Sequence, residues 1–171
     1  NGHFVEIKPL YAKNIIVGFA RLVGHTIGVI ANNPLVLNGA IDCNSSDKEA
    51  RFIRFCDAFN IPLVFLIDTV GFLGTTEQEQ SGIERHAAKV PYAICEATVP
   101  KMVVYIGECS GWGELAMCTE SMGGDLVVAW PSAKVGFFDA EEMVDIIYEK
   151  EIKGADNPGE VRETRIKEFN E

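Results

Sequence analysis

Two glycine-bearing turns hold the residues of this sequence whose types and spacing could do chemistry. The first, Asp68-Thr69-Val70-Gly71-Phe72-Leu73-Gly74, follows the continuous apolar run Leu63 to Ile67. The second lies in KMVVYIGECSGWGELAMCTESM, Lys101 to Met122, where the β-branched run Val103-Val104-Tyr105-Ile106 gives way to Gly107, Gly111 and Gly113. From Glu114 to Met122 the composition is helical, with almost no β-branching. The spacing predicts a buried strand, a tight turn and then a helix. Such a junction gathers the unpaired N–H groups of the turn and first helical turn into one small space, where they can hold an oxyanion.

Side-chain chemistries fit these turns less well. Neither carries G-x-G-x-x-G, and no G-K-[ST] phosphate loop is present, so nucleotide binding is not expected. Ser110 with Asp68 and His86 would complete a triad in the order Asp, His, Ser. The local text Gly-Glu-Cys-Ser-Gly misses the G-x-S-x-G elbow by one place, and Ser110 reads as a turn or N-cap hydroxyl. Cys109 stands beside Glu108, which raises rather than lowers a thiol pKa. His86, within Glu84-Arg85-His86, reads as a surface or packing histidine. Trp112, flanked by glycines, either plugs its turn or borders a ligand, and the sequence leaves both open.

The elements that must position these turns follow from the patterning. Ile15 to Leu22 and Thr26 to Ala31 form an antiparallel hairpin around Gly24, and Val36 to Ile41 reads as a short further strand. Ser46-x-x-Glu49 is a capping box for a helix with apolar Phe52, Phe55, Cys56 and Phe59, ended by Asn60-Ile61-Pro62. Leu63 to Ile67 reads as a strand covered on both faces. A second capping box, Thr76-x-x-Glu79, opens a helix carrying Ile83, Ala87, Val90 and Ile94, kinked at Pro91. Beyond the second turn, Gly123-Gly124 stops a helix and Leu126 to Trp130 and Val135 to Phe138 are strands. Asp139-x-x-Glu142 caps a helix to about Lys150, with Glu141 and Glu142 as helix-start charges. The charge-rich stretch from Glu151 supports at most one exposed helix, from Gly159 onward. The order is that of an α/β protein, and both turns follow the C-terminal ends of buried strands, where open α/β sheets build their sites.

Composition bounds the rest. With 171 residues, 47% hydrophobic and 23% charged, the chain fills one domain. A net charge of −10 without a Lys/Arg cluster argues against nucleic acid or an anionic membrane surface as partner. No apolar run reaches the ~18 residues of a spanning helix, so a soluble protein is expected. Five cysteines without C-x-x-C, beside three histidines, point to a reducing compartment and to no metal site.

Several motifs in one order carry a family resemblance. Gly39-Ala40-Ile41-Asp42 through Ser45, Ala50-Arg51-Phe52-Ile53-Arg54-Phe55-Cys56-Asp57-Ala58-Phe59-Asn60-Ile61-Pro62, the Asp68 turn with Gln78-Glu79, Gly82-Ile83 and Arg85-His86-Ala87-Ala88-Lys89 resemble the C-terminal half of the carboxyltransferase (beta) subunit of biotin-dependent acyl-CoA carboxylases, of the propionyl-CoA carboxylase type. Glu96 to Lys101 and Ala129 to Ala133 match it too, so the resemblance runs from about Val17 to Ile147.

The resemblance implies a crotonase (ClpP)-like spiral of β-β-α units and carboxyl transfer between carboxybiotin and an acyl-CoA. This chain would be the biotin-side half of an active site completed by an N-terminal carboxyltransferase domain. It would be excised from a longer chain, truncated at its C-terminal end and inactive by itself. Biotin on a carrier protein, a biotin carboxylase, a coenzyme A thioester and a homo-oligomer are implied partners, with no metal in this domain, in the cytoplasm or mitochondrial matrix. By position, the family's Gly-Gly-Ala turn falls on Gly111-Trp112-Gly113, so the N–H groups of Trp112 and Gly113 would face the biotin ureido oxygen. Val70-Gly71-Phe72 would border the same space, and Leu115 would line the acyl pocket, its apolar side chain suited to an apolar acyl chain. Trp112 replaces a glycine, and both prolines of the family's loop after Asp68 are absent. The alternatives are a biotin-independent crotonase-fold acyl-CoA decarboxylase or hydratase, and a non-catalytic or hydrolytic variant using Ser110.

Overall fold

The chain reverses at Val23-Gly24, where both residues have positive φ, 50° and 86°. That two-residue geometry matches the twist of the flanking strands, so β2 (Ile15–Leu22) and β3 (His25–Asn32) pair antiparallel along their full length, down to Leu22 opposite His25. The computed structural model describes residues 3–138, 140–155 and 157–169. Before the hairpin, β1 (Val5–Glu6) pairs antiparallel with β2. After it come α1 (Cys43–Ala58), β4 (Leu63–Thr69), α2 (Thr76–Ser81), α3 (Ile83–Ala87), α4 (Lys89–Glu96), β5 (Lys101–Ser110), α5 (Gly113–Ala116), β6 (Leu126–Ala129) and β7 (Lys134–Gly136). The sheet order is β1-β2-β3-β4-β5-β6, with β7 also on β5, and the pairs from β3 to β6 are parallel.

The chain divides into two compact units, Asn1–Val135 and Gly136–Glu171. In the first, α1 and α4 lie together, and the core runs through Ile15, Val17, Ile30, Ile53, Phe65 and Ile94, all but withdrawn from solvent. Burial alternates along β4: Leu63, Phe65, Ile67 and Thr69 are buried and the residues between them half-buried, less complete cover than the apolar run suggests. The second unit holds α6 (Ala140–Ile147), α7 (Glu149–Gly154) and α8 (Pro158–Phe169). There Arg162 forks onto both carboxylate oxygens of Asp145, at 2.7 and 3.0 Å, and reaches Glu141. Arg165 spans Glu151 and Glu168.

Several boundaries differ from the sequence reading. The cap of α1 is Asp42, whose Oδ1 accepts from Ser45 N at 2.7 Å while Ser45 Oγ accepts from Asp42 N at 2.8 Å. Ser46 and Glu49, expected to form that box, instead face inward, with Ser46 Oγ donating to the Asp42 carbonyl and Glu49 wholly buried. Val36 to Ile41 is no strand: Leu37 and Asn38 have φ of 54° and 51°, a 3-10 turn covers Leu37–Gly39, and Ile41 makes a lone parallel bridge to Phe72. Thr75, not Thr76, caps α2, accepting from Gln78 N. The helix expected to run on from there breaks at left-handed Gly82 and again at Ala88. Pro91 therefore sits in the first turn of α4, where its missing N–H costs no hydrogen bond, and the helix is interrupted just upstream of it, at Ala88.

The second glycine turn also differs. β5 runs past Ile106 to Ser110, and the helix expected to Met122 is a single turn, α5, ended before Cys118 at φ 68°. A 3-10 turn, Glu120–Met122, follows and stops at left-handed Gly123. Trp130 lies outside β6, and Phe137 and Phe138 outside β7. The capping box at Asp139 lies outside the described residues. The helix beyond it closes at Ile147, and α7 precedes α8 where one helix was expected.

Candidate active site

The site grows from the C-terminal ends of β4 and β5. Their register shifts after Ile67–Tyr105, so that Thr69 stands opposite Cys109 and β5 carries two extra residues. The bulge presses Gly107 onto Asp68: Asp68 Oδ1 accepts from Glu108 N at 3.0 Å, and a Cβ at Gly107 would strike that carboxylate. Asn32 ties in the end of β3, its Oδ1 accepting from Asp68 N at 3.1 Å and its Nδ2 reaching Met117 Sδ at 3.4 Å. Thr69 Oγ1 donates to the Gly39 carbonyl at 2.8 Å and accepts from Gly71 N at 3.1 Å. The next three residues are held by Ile41, whose N–H donates to Gly71 O and whose carbonyl accepts from Leu73 N.

These anchors bring Gly71, at φ 98°, against Gly113. A Cβ on Gly113 would lie 2.8 Å from Thr69 Cγ2 and 3.1 Å from Gly71 Cα, and one on Gly71 would lie 3.0 Å from Ser110 O and 3.6 Å from Gly113 N. Both positions therefore have room for glycine only. The N–H groups of Gly111, Gly113 and Glu114 have no acceptor among the described residues, whereas the carbonyls of Trp112 and Gly113 accept from Leu115, Ala116 and Met117. Main-chain donors are thus available at the turn.

Beside them opens a pocket of about 430 Å³. Phe72, Trp112 and Leu115, three of the residues singled out from the sequence, are among those that line it. Trp112 is 58% exposed, so its ring borders the space rather than plugging it. Gly71 and Gly113 are buried next to these lining residues, while Val70 and Gly111 are not part of the lining. Sequence reasoning missed the opposite wall, Ile83, Ala87, Ala88 and Pro91, and two carboxylates, Glu79 and Glu84. The spacing of Ile83, Ala87 and Pro91 at four-residue steps is the signal that was available.

The side-chain nucleophiles are not assembled. His86 Nδ1 meets Asp47 Oδ2 at 3.0 Å, while Ser110 Oγ donates to Glu108 Oε1 at 3.0 Å and Asp68 holds the Glu108 N–H, so each of these bonds goes to Asp47 or Glu108 and none joins two of the candidate triad members. Ser110 ends β5 and caps no helix. Burial, with the carboxylates of Glu114 and Glu108, pushes the Cys109 thiol up to about 12. Such a thiol is inert at neutral pH. Among the described residues no cluster of three or more His, Cys, Asp or Glu could hold a metal ion.

Residues 1–171 match the model of the carboxyl transferase domain family. The chain belongs to that family. This carboxyl transferase domain is 48% identical over 168 residues to the methylmalonyl-CoA carboxyltransferase 12S subunit of Propionibacterium freudenreichii subsp. shermanii, covering 98% of this chain and 32% of that protein. It is 46% identical over 169 residues to the methylmalonyl-CoA decarboxylase subunit alpha of Propionigenium modestum, covering 99% and 33%. Among solved structures, the transcarboxylase 12S hexamer with methylmalonyl-coenzyme A and methylmalonic acid bound superposes with a TM-score of 0.95 at 48% identity, over 98% of this chain and 32% of that one. The likeness establishes the crotonase-type fold for the carboxyl transferase domain. The chain spans about a third of the length of these relatives.

Proposed function

We propose that this carboxyl transferase domain forms the biotin-side half of an active site that passes a carboxyl group between carboxybiotin and an acyl-CoA. The observation that supports this reading is the approach of Gly71 to Gly113 at the ends of β4 and β5, with no main-chain acceptor for the Gly113 N–H among the described residues and with the neighbouring Phe72, Trp112 and Leu115 lining a pocket.

The residues present suit biotin. A pocket of about 430 Å³ falls within the ~300–1,000 Å³ of small-molecule sites, and its aromatic and aliphatic walls match a compact ring system with one polar edge. When bound, biotin supplies the ureido nitrogen that carries the transferable carboxyl group. Phe72 and Trp112 would hold the apolar faces of the ring, and the N–H groups of Trp112 and Gly113 would donate to the ureido oxygen as negative charge grows there. Donors fixed in the backbone need no reorganisation at that moment, and this is the source of their catalytic effect. The loop Val70-Gly71-Phe72 with Gly111 would fix the width of the cleft, and Leu115 would border the acyl group. No side chain at the turn is placed to attack a carbonyl, and the reaction asks for none.

The same reading assigns an N-terminal carboxyltransferase domain as the facing half, a biotin carboxyl carrier and a biotin carboxylase as partners, and a homo-oligomer as the working state, in the cytoplasm or the mitochondrial matrix. Among the described residues no helix is long and apolar enough to cross a membrane. The test combines the domain with an N-terminal carboxyltransferase domain, a biotin carrier carrying labelled carboxyl groups, and a series of acyl-CoAs. Label should appear in the acyl-CoA. Its absence with every acyl-CoA tried would sink the proposal. Since one similar protein is a decarboxylase subunit, a biotin-independent crotonase-fold decarboxylase or hydratase is the second reading, and product formed without biotin would favour it.

A further inference from the structure

A second concavity, built from elements that take no part in the turns above, combines an aromatic wall with uncompensated positive charge. It lies between β2, with the residues just after β1, and α1, and encloses about 260 Å³. Val17, Phe19, Phe52 and Phe55 form its walls. The Phe19 ring stands 5.2 Å from Phe52 and 5.9 Å from Phe55, both tilted, and Phe55 is 46% exposed. Phe55 and the half-buried Phe19 are therefore reachable by a ligand, with the buried Phe52 ring as the floor beneath them.

Ile7, Lys8, Lys48 and Arg51 complete the lining, and no carboxylate contributes to it. In a chain of net charge −10 this is a local reversal of sign. Lys48 is 3% exposed, and its Nζ donates to three neutral carbonyls, Ile15 O at 2.7 Å, Tyr11 O at 2.8 Å and Ala12 O at 3.2 Å. Its hydrogen bonds are satisfied, but its charge has no contacting anion. Glu6 acts on it only from beyond contact distance, opposed by Lys8. The exposed Arg51 makes no ion pair or hydrogen bond among the described residues, and the Lys8 ammonium lies 5.7 Å from the Tyr11 ring without a contacting carboxylate there. A cation withdrawn from water without an opposite charge is unfavourable, and an anion entering beside it would relieve that cost. Arg51 presents a fork suited to an oxyanion head.

We propose that this pocket binds a small anionic amphiphile: one ring or a short aliphatic body bearing a carboxylate or phosphate head. The body lies on Phe19, Phe52 and Phe55, and the head meets Arg51 with Lys8 and Lys48 behind it. The volume, below the ~300 Å³ at which drug-sized sites begin, limits the body to about a single ring.

The test titrates the protein with phenylacetate, phenyl phosphate and the neutral 2-phenylethanol, followed by NMR shifts of its aromatic side chains. The two anions should saturate in the millimolar range with shifts centred on Phe19, Phe52 and Phe55, and the better of them identifies the head group. The neutral alcohol should bind about tenfold or more weakly, and affinity for the anions should fall by a similar factor in Arg51→Glu and with added salt. Arg51 is exposed, so circular dichroism should report an unchanged fold, and Lys8→Glu gives an independent second variant. Equal binding of the alcohol, indifference to both substitutions, shifts centred on Phe72 and Trp112, or no saturable binding would each overturn the proposal.

Discussion

Gly71 and Gly113 meet backbone to backbone, so closely that a side chain on Gly113 would stand 3.1 Å from Gly71 Cα and 3.2 Å from Gly71 N. The two residues belong to different strand–turn units and are brought together by the bulge of β5 and the bridge from Ile41. The site is therefore defined by space kept free.

Replacing Gly113 by alanine should push the loop after β4 away and misplace the main-chain donor. Transfer should fall about 10²–10³-fold, the scale of losing one oxyanion donor, while overpacking lowers stability by about 1–3 kcal/mol. Rate measurements alongside thermal melts check both, and a variant with unchanged turnover would contradict the assignment.

Substituting Ser110 by alanine should change the transfer rate less than about twofold, because its hydroxyl is committed to Glu108. A drop of several orders of magnitude would restore the hydrolytic reading.

Thiol labelling at neutral pH should modify Cys95 and leave the other four cysteines unreacted in the folded protein. Cys95 is exposed, whereas Cys43, Cys56, Cys109 and Cys118 are buried, and burial pushes the last three up to about 12. These three are therefore protonated at neutral pH. Mass spectrometry after maleimide treatment should find one adduct per chain.

Glu49 is fully buried with both carboxylate oxygens lacking a hydrogen-bond partner, and burial raises its pKa well above 4.5. The folded chain keeps a proton on Glu49 that the unfolded chain releases once the pH exceeds about 4.5. Stability is thus lost as pH rises from there toward the folded pKa, by about 1.4 kcal/mol per pH unit. Glu49→Met, similar in volume, should be more stable than the parent at neutral pH and gain little near pH 4. Urea melts across this range test the sign; a gap between the two proteins that does not widen with pH would refute it.

Much of this architecture is legible in the residues, and what is not has tertiary causes. The hairpin is visible because Gly24 interrupts two β-branched runs, and β4 because Leu63 to Ile67 is apolar throughout. The start of α1 is not, since two overlapping capping patterns compete, and Asp42-x-x-Ser45 prevails because the core takes Ser46 and Glu49 inward. Within the site, the glycines mark both turns and Phe72, Trp112 and Leu115 emerge as lining residues. The helical spacing of Ile83, Ala87 and Pro91 is legible, but that they face the pocket is not, because left-handed Gly82 redirects the chain before them. The contact of Gly71 with Gly113 escapes it too, because it depends on two additional residues in a strand more than thirty positions downstream.

The turn after β5 also bears on inhibitor chemistry. Electrophilic warheads work by capturing an activated side chain, and here the neighbouring thiol of Cys109 is buried and protonated while the Ser110 hydroxyl is bonded to the Glu108 carboxylate and makes no bond to His86. A compound aimed at this cleft must therefore hold by shape against Phe72, Trp112 and Leu115 and by reversible hydrogen bonds to the main chain, and its residence time will depend on fit alone.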